Sequence, residues 1–252
     1  MVVILATVEL AYGLRHCSRY TPVRMKSADM NTKAHGCVVF DHDGTLVDSL
    51  EVVVHASNQV MAAFGKDPRP AAQIVAGMVH PTAPRLGLLA GISESAIQAD
   101  MARVYNDLAL RSSDRAKLYP GIEAMLGTIE RLGLRQAVLS NSAGAFVRTI
   151  LNRLGVAGRF FSLVGDTDMP APKPDPRGLL AILRAAECDS GRAVYVGDSK
   201  TDLLTARAAG VRAVGVTWGA HPRGELESLG FDSLVDAPSE LVEVLRGSTG
   251  CR

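Results

Sequence analysis

The chain has 252 residues, 47% of them hydrophobic and 21% charged, with a formal net charge of +1 at pH 7. That balance is ordinary for a soluble globular protein with a sizeable core. It gives no electrostatic reason to expect nucleic acid or an anionic membrane as partner, and the basic residues are scattered without aromatic interleaving. Cys17, Cys37, Cys188 and Cys251 are widely separated and form no CxxC pair, which argues against a disulfide framework and for a reducing, cytoplasmic compartment.

Residues Met1 to Leu14 are mostly apolar but lack a basic start, are interrupted by Glu9 and are too short to span a bilayer. A basic stretch follows with Arg15, His16, Arg19, Arg24 and Lys26. Residues 1–35 are therefore expected to form a loosely ordered extension, with Met25 and Met30 as alternative starts before the first strand.

The first strand signal is the apolar run Cys37, Val38, Val39 and Phe40, which stops at Asp41. Asp43, Gly44 and Thr45 follow at once. Two carboxylates two positions apart at a strand end stand at the lip of a sheet, where open α/β folds bind ligands. Crowded carboxylates attract a divalent cation. One carboxylate can attack phosphorus while its neighbour handles protons. The same residue types also make turns and caps, so this stretch alone leaves both readings open.

After it the strand signals vanish. Segments near 48–64, 70–77, 82–90 and 93–113 carry helical periodicity, punctuated by Gly65, Pro68, Pro70 and Gly91. Beyond Leu118, short apolar strands near 136–140, 161–165, 193–197 and 212–216 alternate with helical stretches near 121–132, 143–153, 176–187, 200–209 and 222–229. Pro176 suits a helix N1 position and Gly210 a helix C-terminus. A short strand and helix near 233–246 close the chain. This alternation predicts an α/β fold, a parallel sheet with helices on both faces.

Three later segments strengthen the chemical reading. Ala137 to Ser142, AVLSNS, ends in Ser140 and Asn141; Pro170 to Pro176, PAPKPDP, presents the single cation Lys173; Ala193 to Asp202, AVYVGDSKTD, ends in Gly197 and Asp198 with Asp202 four residues on. A nucleophile, a proton carrier, a hydroxyl, a cation and metal carboxylates are the parts of a phosphoryl-transfer site. Lys173, between Pro172 and Pro174, has a restricted backbone that favours positioning over solvation.

The four segments, in this order, resemble the motifs of the haloacid dehalogenase-like hydrolases, and most closely the phosphoglycolate phosphatase and β-phosphoglucomutase branch. The resemblance spans about Gly36 to Leu245 and includes LYPGIEAML (Leu118 to Leu126) and GVTWGAHP (Gly215 to Pro222). His42 departs from it, since the family usually has an aliphatic or Phe residue there. The resemblance implies a Rossmann-like core made of 36–49 and 118–252, and a helical cap over 50–117 hinged near Thr45 to Ser49 and Tyr119 to Gly121. It implies that Asp41 is the nucleophile of an aspartyl-phosphate mechanism and Asp43 the general acid and base. Mg²⁺ would be held by the Asp41 carboxylate, the Asp43 backbone carbonyl and the Asp198 carboxylate, with Asp202 supporting from behind, on Lys173 or a metal-bound water. Ser140, Asn141 and Lys173 would bind the transferring phosphoryl, and Gly44 and Thr45 would shape the turn. His80 and Arg85, in the Gly77 to Arg85 segment that joins two cap helices, are candidates for a substrate carboxylate or second phosphate.

The expected activity is therefore Mg²⁺-dependent hydrolysis of a small organic phosphate, with 2-phosphoglycolate the leading substrate. A sugar-phosphate mutase, a pyrophosphatase or a nucleotidase on the same core are alternatives, as is a non-catalytic phosphate-binding module. The retention of Asp41, Asp43, Lys173 and Asp198 speaks against the last. The expected partner is a small phosphorylated metabolite rather than nucleic acid or membrane, for a monomer or homodimer.

Overall fold

In the computed structural model, residues 36–249 are described. The expected N-terminal extension, Cys17 and Cys251 lie outside them.

The chain starts with β1 (Cys37–Phe40) and β2 (Val47–Asp48), runs through α1 (Leu50–Ala63), α2 (Ala71–Ala76), α3 (Thr82–Ala90) and α4 (Ser95–Arg111), and returns by β3 (Lys117–Leu118). It continues as α5 (Ile122–Arg131), β4 (Arg135–Leu139), α6 (Gly144–Arg153), β5 (Ser162–Val164), α7 (Arg177–Ala185), β6 (Ala193–Gly197), α8 (Lys200–Ala208), β7 (Arg212–Val216), α9 (Arg223–Leu229), β8 (Ser233–Val235) and α10 (Pro238–Thr249). The main sheet has the order β5-β4-β1-β6-β7-β8. All its pairs are parallel. The α/β expectation holds.

β1 sits in the middle of this sheet, and every one of its residues is buried. That is why it reads as an unbroken apolar run: helices cover both faces of a parallel sheet, and side chains alternate between them. Val38 and Phe40 join the larger core, which extends through α1, α3, α4, α5 and α6; Cys37 and Val39 join a second core formed with α7 and α8. Because β1 is central, its carboxyl end opens among the loops that follow β4 and β6. Ligands bind at such carboxyl edges in open α/β sheets.

β2 and β3 pair antiparallel, Val47 with Leu118 and Asp48 with Lys117. This small ribbon stands where the chain leaves the sheet for the four helices and where it comes back. The Tyr119 N–H adds a bond to the Leu46 carbonyl at 3.2 Å. The helical segment thus departs directly from the loop that carries Asp41 and Asp43.

Candidate active site

The tight turn after β1 is closed by Leu46 and Val47 N–H groups on the His42 carbonyl and by Gly44 N–H on the Val47 carbonyl. Gly44 has φ +77°, and a Cβ there would lie 2.2 Å from an Asp198 carboxylate oxygen, so only glycine fits. The turn presents Asp41 inward, 7% exposed. One of its oxygens, Oδ1, accepts the His42 N–H at 2.7 Å and the Lys173 ammonium at 2.8 Å.

Lys173 is equally buried and also reaches Asp202 Oδ1 at 2.7 Å. Its backbone is pinned by the Asn141 side chain, which accepts the Lys173 N–H at 2.7 Å and donates to the Lys173 carbonyl at 3.0 Å. The peptide between Lys173 and Pro174 is cis. The Asn141 side chain is therefore engaged with the lysine backbone through both its oxygen and its nitrogen, and it scaffolds the cation.

Asp202 is fully buried in the first turn of α8. Its Oδ1 also accepts from the Tyr195 hydroxyl at 3.3 Å. Its Oδ2 accepts from the Ser199 N–H at 3.1 Å and the Ser199 hydroxyl at 2.5 Å. It caps its own helix and anchors Lys173 at once, more than a surface charge one turn from Asp198 would do. Both its oxygens are occupied.

Asp41, Asp198 and Asp202 offer oxygens that all lie within 4.8 Å of one another. Burial, then the Asp202 charge, pushes the Asp41 carboxyl up to about 8 against the opposing pull of Lys173. Burial, then Asp202 again, pushes Asp198 up to about 7, with the Ala220 N–H opposing. Three carboxylates face one ammonium, so ionising all of them leaves two negative charges uncompensated. Asp41 Oδ2 and Asp198 Oδ1 receive no hydrogen bond from the described residues. A hard divalent cation with oxygen ligands answers both the charge and the vacant oxygens. The residues present fit such a cation, because their own side chains create the demand.

Asp43 is held differently. Its Oδ1 accepts the Ser49 hydroxyl at 2.5 Å and its Oδ2 the Ser142 hydroxyl at 2.6 Å. Burial pushes this carboxyl up, but the His42 charge and the donors around it outweigh burial and hold it well below the usual carboxylate range. His42 Nδ1 is 3.1 Å from Asp43 Oδ1, yet the approach is misaligned, and neither ring nitrogen has a hydrogen-bond partner. The fully buried His42 ring stands edge-on to Phe146 at 5.9 Å. The His42 N–H is committed to Asp41. Ser140 is buried, and its oxygen accepts the Ser142 N–H at 3.0 Å, which leaves its own proton to donate. It does not cap α6, whose N-cap is Ala143.

A further loop, after β7, closes on the site from the other side. The Ala220 N–H donates to Asp198 Oδ2 at 2.9 Å, and the Trp218 indole donates to the Thr45 carbonyl at 2.9 Å.

In the helical segment the two expected substrate contacts part company. His80 is exposed at the end of the turn before α3. Arg85 lies inside α3 and not in the connection, 6% exposed, with Nε and Nη2 lacking any hydrogen-bond partner. Its guanidinium stacks 5.0 Å over the Tyr105 ring of α4. Burial raises the Tyr105 hydroxyl, Arg85 opposes, and the Asp43 charge raises it further, so this pair lies within electrostatic reach of Asp43.

Ser49, Ser142, Tyr195, Trp218, Ala220 and Tyr105 were not anticipated as site residues. Ser49 and Ser142 end the two motifs VVFDHDGTLVDS and AVLSNS, a signal available in the sequence. Tyr195 is indistinguishable there from an ordinary core aromatic.

A family model described as haloacid dehalogenase-like hydrolase matches residues 38–216. A phosphoglycolate phosphatase of Rhodospirillum rubrum is 34% identical over 208 residues, 79% of this chain and 86% of that protein. Phosphoglycolate phosphatase 1 of Pseudomonas aeruginosa is 30% identical over 236 residues, 87% of this chain and 80% of that protein. A crystal structure of a predicted phosphoglycolate phosphatase from Haemophilus somnus superposes with a TM-score of 0.76 at 21% identity, covering 84% of this chain and 99% of that one, a likeness of fold.

Proposed function

The chain belongs to the haloacid dehalogenase-like hydrolases and is a phosphatase, and from that footing we propose that it is a Mg²⁺-dependent phosphomonoesterase acting on 2-phosphoglycolate through an aspartyl phosphate. The observation that carries this is the buried cluster of Asp41, Asp198 and Asp202 around Lys173, whose surplus negative charge calls for a divalent cation. The Asp41 and Asp198 carboxylates and the Asp43 backbone carbonyl would hold it. Bound there, Mg²⁺ would supply charge neutralisation and orientation for the phosphoryl group.

An Asp41 oxygen attacks phosphorus as the bond to the leaving oxygen breaks, giving the acyl phosphate. Lys173 and the Ser140 hydroxyl meet the charge that develops on the equatorial oxygens. Asp43 protonates the leaving oxygen and then takes a proton from the water that attacks the intermediate. Its ionised form, held by two hydroxyls, is the base of the second step. An arriving phosphate dianion raises its proton affinity for the first, because like charge disfavours ionisation.

The substrate assignment draws on two facts. The relatives are named phosphoglycolate phosphatases. Arg85 keeps two buried N–H donors without partners, a geometry suited to the two oxygens of a carboxylate. The exposed His80 has no comparable claim. The free thiols Cys37 and Cys188 support a reducing, cytoplasmic setting, and no helix among the described residues is long and apolar enough to cross a membrane.

The test is phosphate release across a panel of phosphorylated metabolites. 2-Phosphoglycolate should give the highest kcat/KM, with activity lost in chelator and restored by Mg²⁺. Full turnover with metal confirmed absent would refute the mechanism, and a clear preference for a substrate without a carboxylate would refute the substrate.

A further inference from the structure

The Gly215 to Pro222 stretch has no part in the chemistry described so far, yet it touches the site twice. Its turn, Thr217 to Ala220, is fixed from outside: the Thr217 N–H bonds the Val235 carbonyl at 3.1 Å, and the Thr217 hydroxyl bonds Asp236 at 2.6 Å. Asp236 is in turn paired with Arg223 of α9. From this anchored base the turn reaches inward. The Ala220 N–H takes one Asp198 oxygen, and the Trp218 indole N–H takes the Thr45 carbonyl.

Between those two contacts stands Gly219. A Cβ there would lie 2.3 Å from Asp198 Oδ2 and 2.4 Å from the Gly44 carbonyl. Gly44 meets the same carboxylate oxygen, and its own Cβ would lie 2.2 Å from Asp198 Oδ2. Two glycine backbones thus crowd the same Asp198 oxygen, and neither has room for a side chain. One Asp198 oxygen is committed to the Ala220 amide and the other is left without a donor among the described residues. Thr45, the residue tied by Trp218, belongs to the turn from which the chain departs for the helical segment.

We propose that the Thr217 to Ala220 turn is a positioning clamp that holds Asp198 in its metal-binding orientation and couples that carboxylate, through Trp218, to the base of the helical segment. The clamp rests on the reading of Asp198 as a Mg²⁺ ligand. Ala220 fixes which Asp198 oxygen is free, Gly219 permits the approach, and Trp218 holds the nucleophile turn against it. Groups one layer behind metal ligands are typically worth about 10- to 100-fold in metal affinity.

Trp218 is the only tryptophan of the chain, so its fluorescence reports on this junction alone. In the full-length wild type, Mg²⁺ should change the emission with the same saturation curve that calorimetry gives, and Asp198→Asn should abolish the change. Gly219→Ala should weaken Mg²⁺ binding by about tenfold or more, because the carboxylate or the Gly44 turn must move. Trp218→Phe keeps an aromatic ring but removes the donor; calorimetry should show Mg²⁺ bound several-fold more weakly, while KM for an aryl phosphate at saturating Mg²⁺ stays at the wild-type value. If Gly219→Ala does not fold, Trp218→Phe decides. A wild type that binds no Mg²⁺ overturns the metal assignment and the clamp with it. A wild type that binds Mg²⁺ while the variants bind it equally well, or whose fluorescence ignores the ion, overturns the clamp alone.

Discussion

Replacing Arg85 separates recognition from folding more sharply than any other single change. A buried guanidinium with two unpartnered nitrogens is a cost to the folded protein, since an unsatisfied buried polar group is worth about 1–3 kcal/mol and a charged one more. Its stacking on Tyr105 returns about 0.5–2 kcal/mol. Arg85→Met keeps the aliphatic stem, loses the stacking and removes the orphaned charge. These terms nearly cancel, so chemical denaturation should show unchanged stability or a gain of up to about 2 kcal/mol. Catalysis should move the other way. If the guanidinium receives the substrate carboxylate, its loss removes a charge-assisted contact worth about 1.5–3 kcal/mol, which is roughly 10- to 150-fold in kcat/KM. The comparison is steady-state hydrolysis of 2-phosphoglycolate and of an aryl phosphate, which has no carboxylate to lose. The first should fall by that factor and the second by little. A variant destabilised by more than about 2 kcal/mol would show that Arg85 holds the fold through a compensated interaction, and equal losses on both substrates would show that it does not read the carboxylate.

Asp41→Asn should abolish turnover, because an amide cannot form the acyl phosphate, while raising the thermal midpoint of the metal-free protein by removing one of three crowded carboxylates; measurable turnover would reassign the nucleophile. The metal-free protein should lose stability as pH rises from about 4 to about 8. Asp41 and Asp198 ionise near 8 and 7 in the fold against an ordinary 3.8, so in that window the folded state binds the extra protons and raising the pH favours unfolding. Thermal midpoints against pH, with and without Mg²⁺, check this; the slope should flatten when Mg²⁺ saturates the site. Ser142→Ala removes one of two hydroxyl donors to Asp43 and should shift the Asp43 limb of the pH–rate profile upward by about one unit, without moving the Mg²⁺ requirement.

Much of this was legible because a parallel sheet announces itself. The runs ending at Asp41, Ser140 and Asp198 are uniformly apolar because both faces of each strand are covered, and each polar residue that ends a run stands at the open edge. The ribbon of β2 and β3 was not legible, since strands of two residues carry no period. Arg85 falls both in the helical stretch expected near 82–90 and in the Gly77 to Arg85 segment expected to join two helices; the helix prevails, because Pro81 and Pro84 are the N-cap and third residue of α3, where a missing N–H costs no hydrogen bond. Pro176 stands likewise at an N-cap, one residue before the expected position. The Asp202 contact with Lys173, 29 residues away, is expected from the family resemblance, whereas the Asn141 hold on the Lys173 backbone, 32 residues away, is not. No local pattern encodes such a pairing.

Charge also sets an order of events. The cluster around Asp41 carries two surplus negative charges when ionised, and Asp43 adds another close by. A phosphate dianion must enter against them. At an effective dielectric of about 20, each pair of like charges about 4 Å apart costs about 4 kcal/mol. Lys173 offsets part of this, but it is already shared between Asp41 and Asp202. The cation therefore has to precede the phosphate, or protons must replace it. Asp41 and Asp198, with carboxyls near 8 and 7, supply the second route under mildly acidic conditions. Calorimetric titration with inorganic phosphate should thus show binding at pH 8 only when Mg²⁺ is present, and measurable metal-free binding as the pH falls below 7. Metal-independent phosphate affinity at pH 8 would mean that the surplus charge is neutralised in some other way, and that Mg²⁺ does not gate entry to the site.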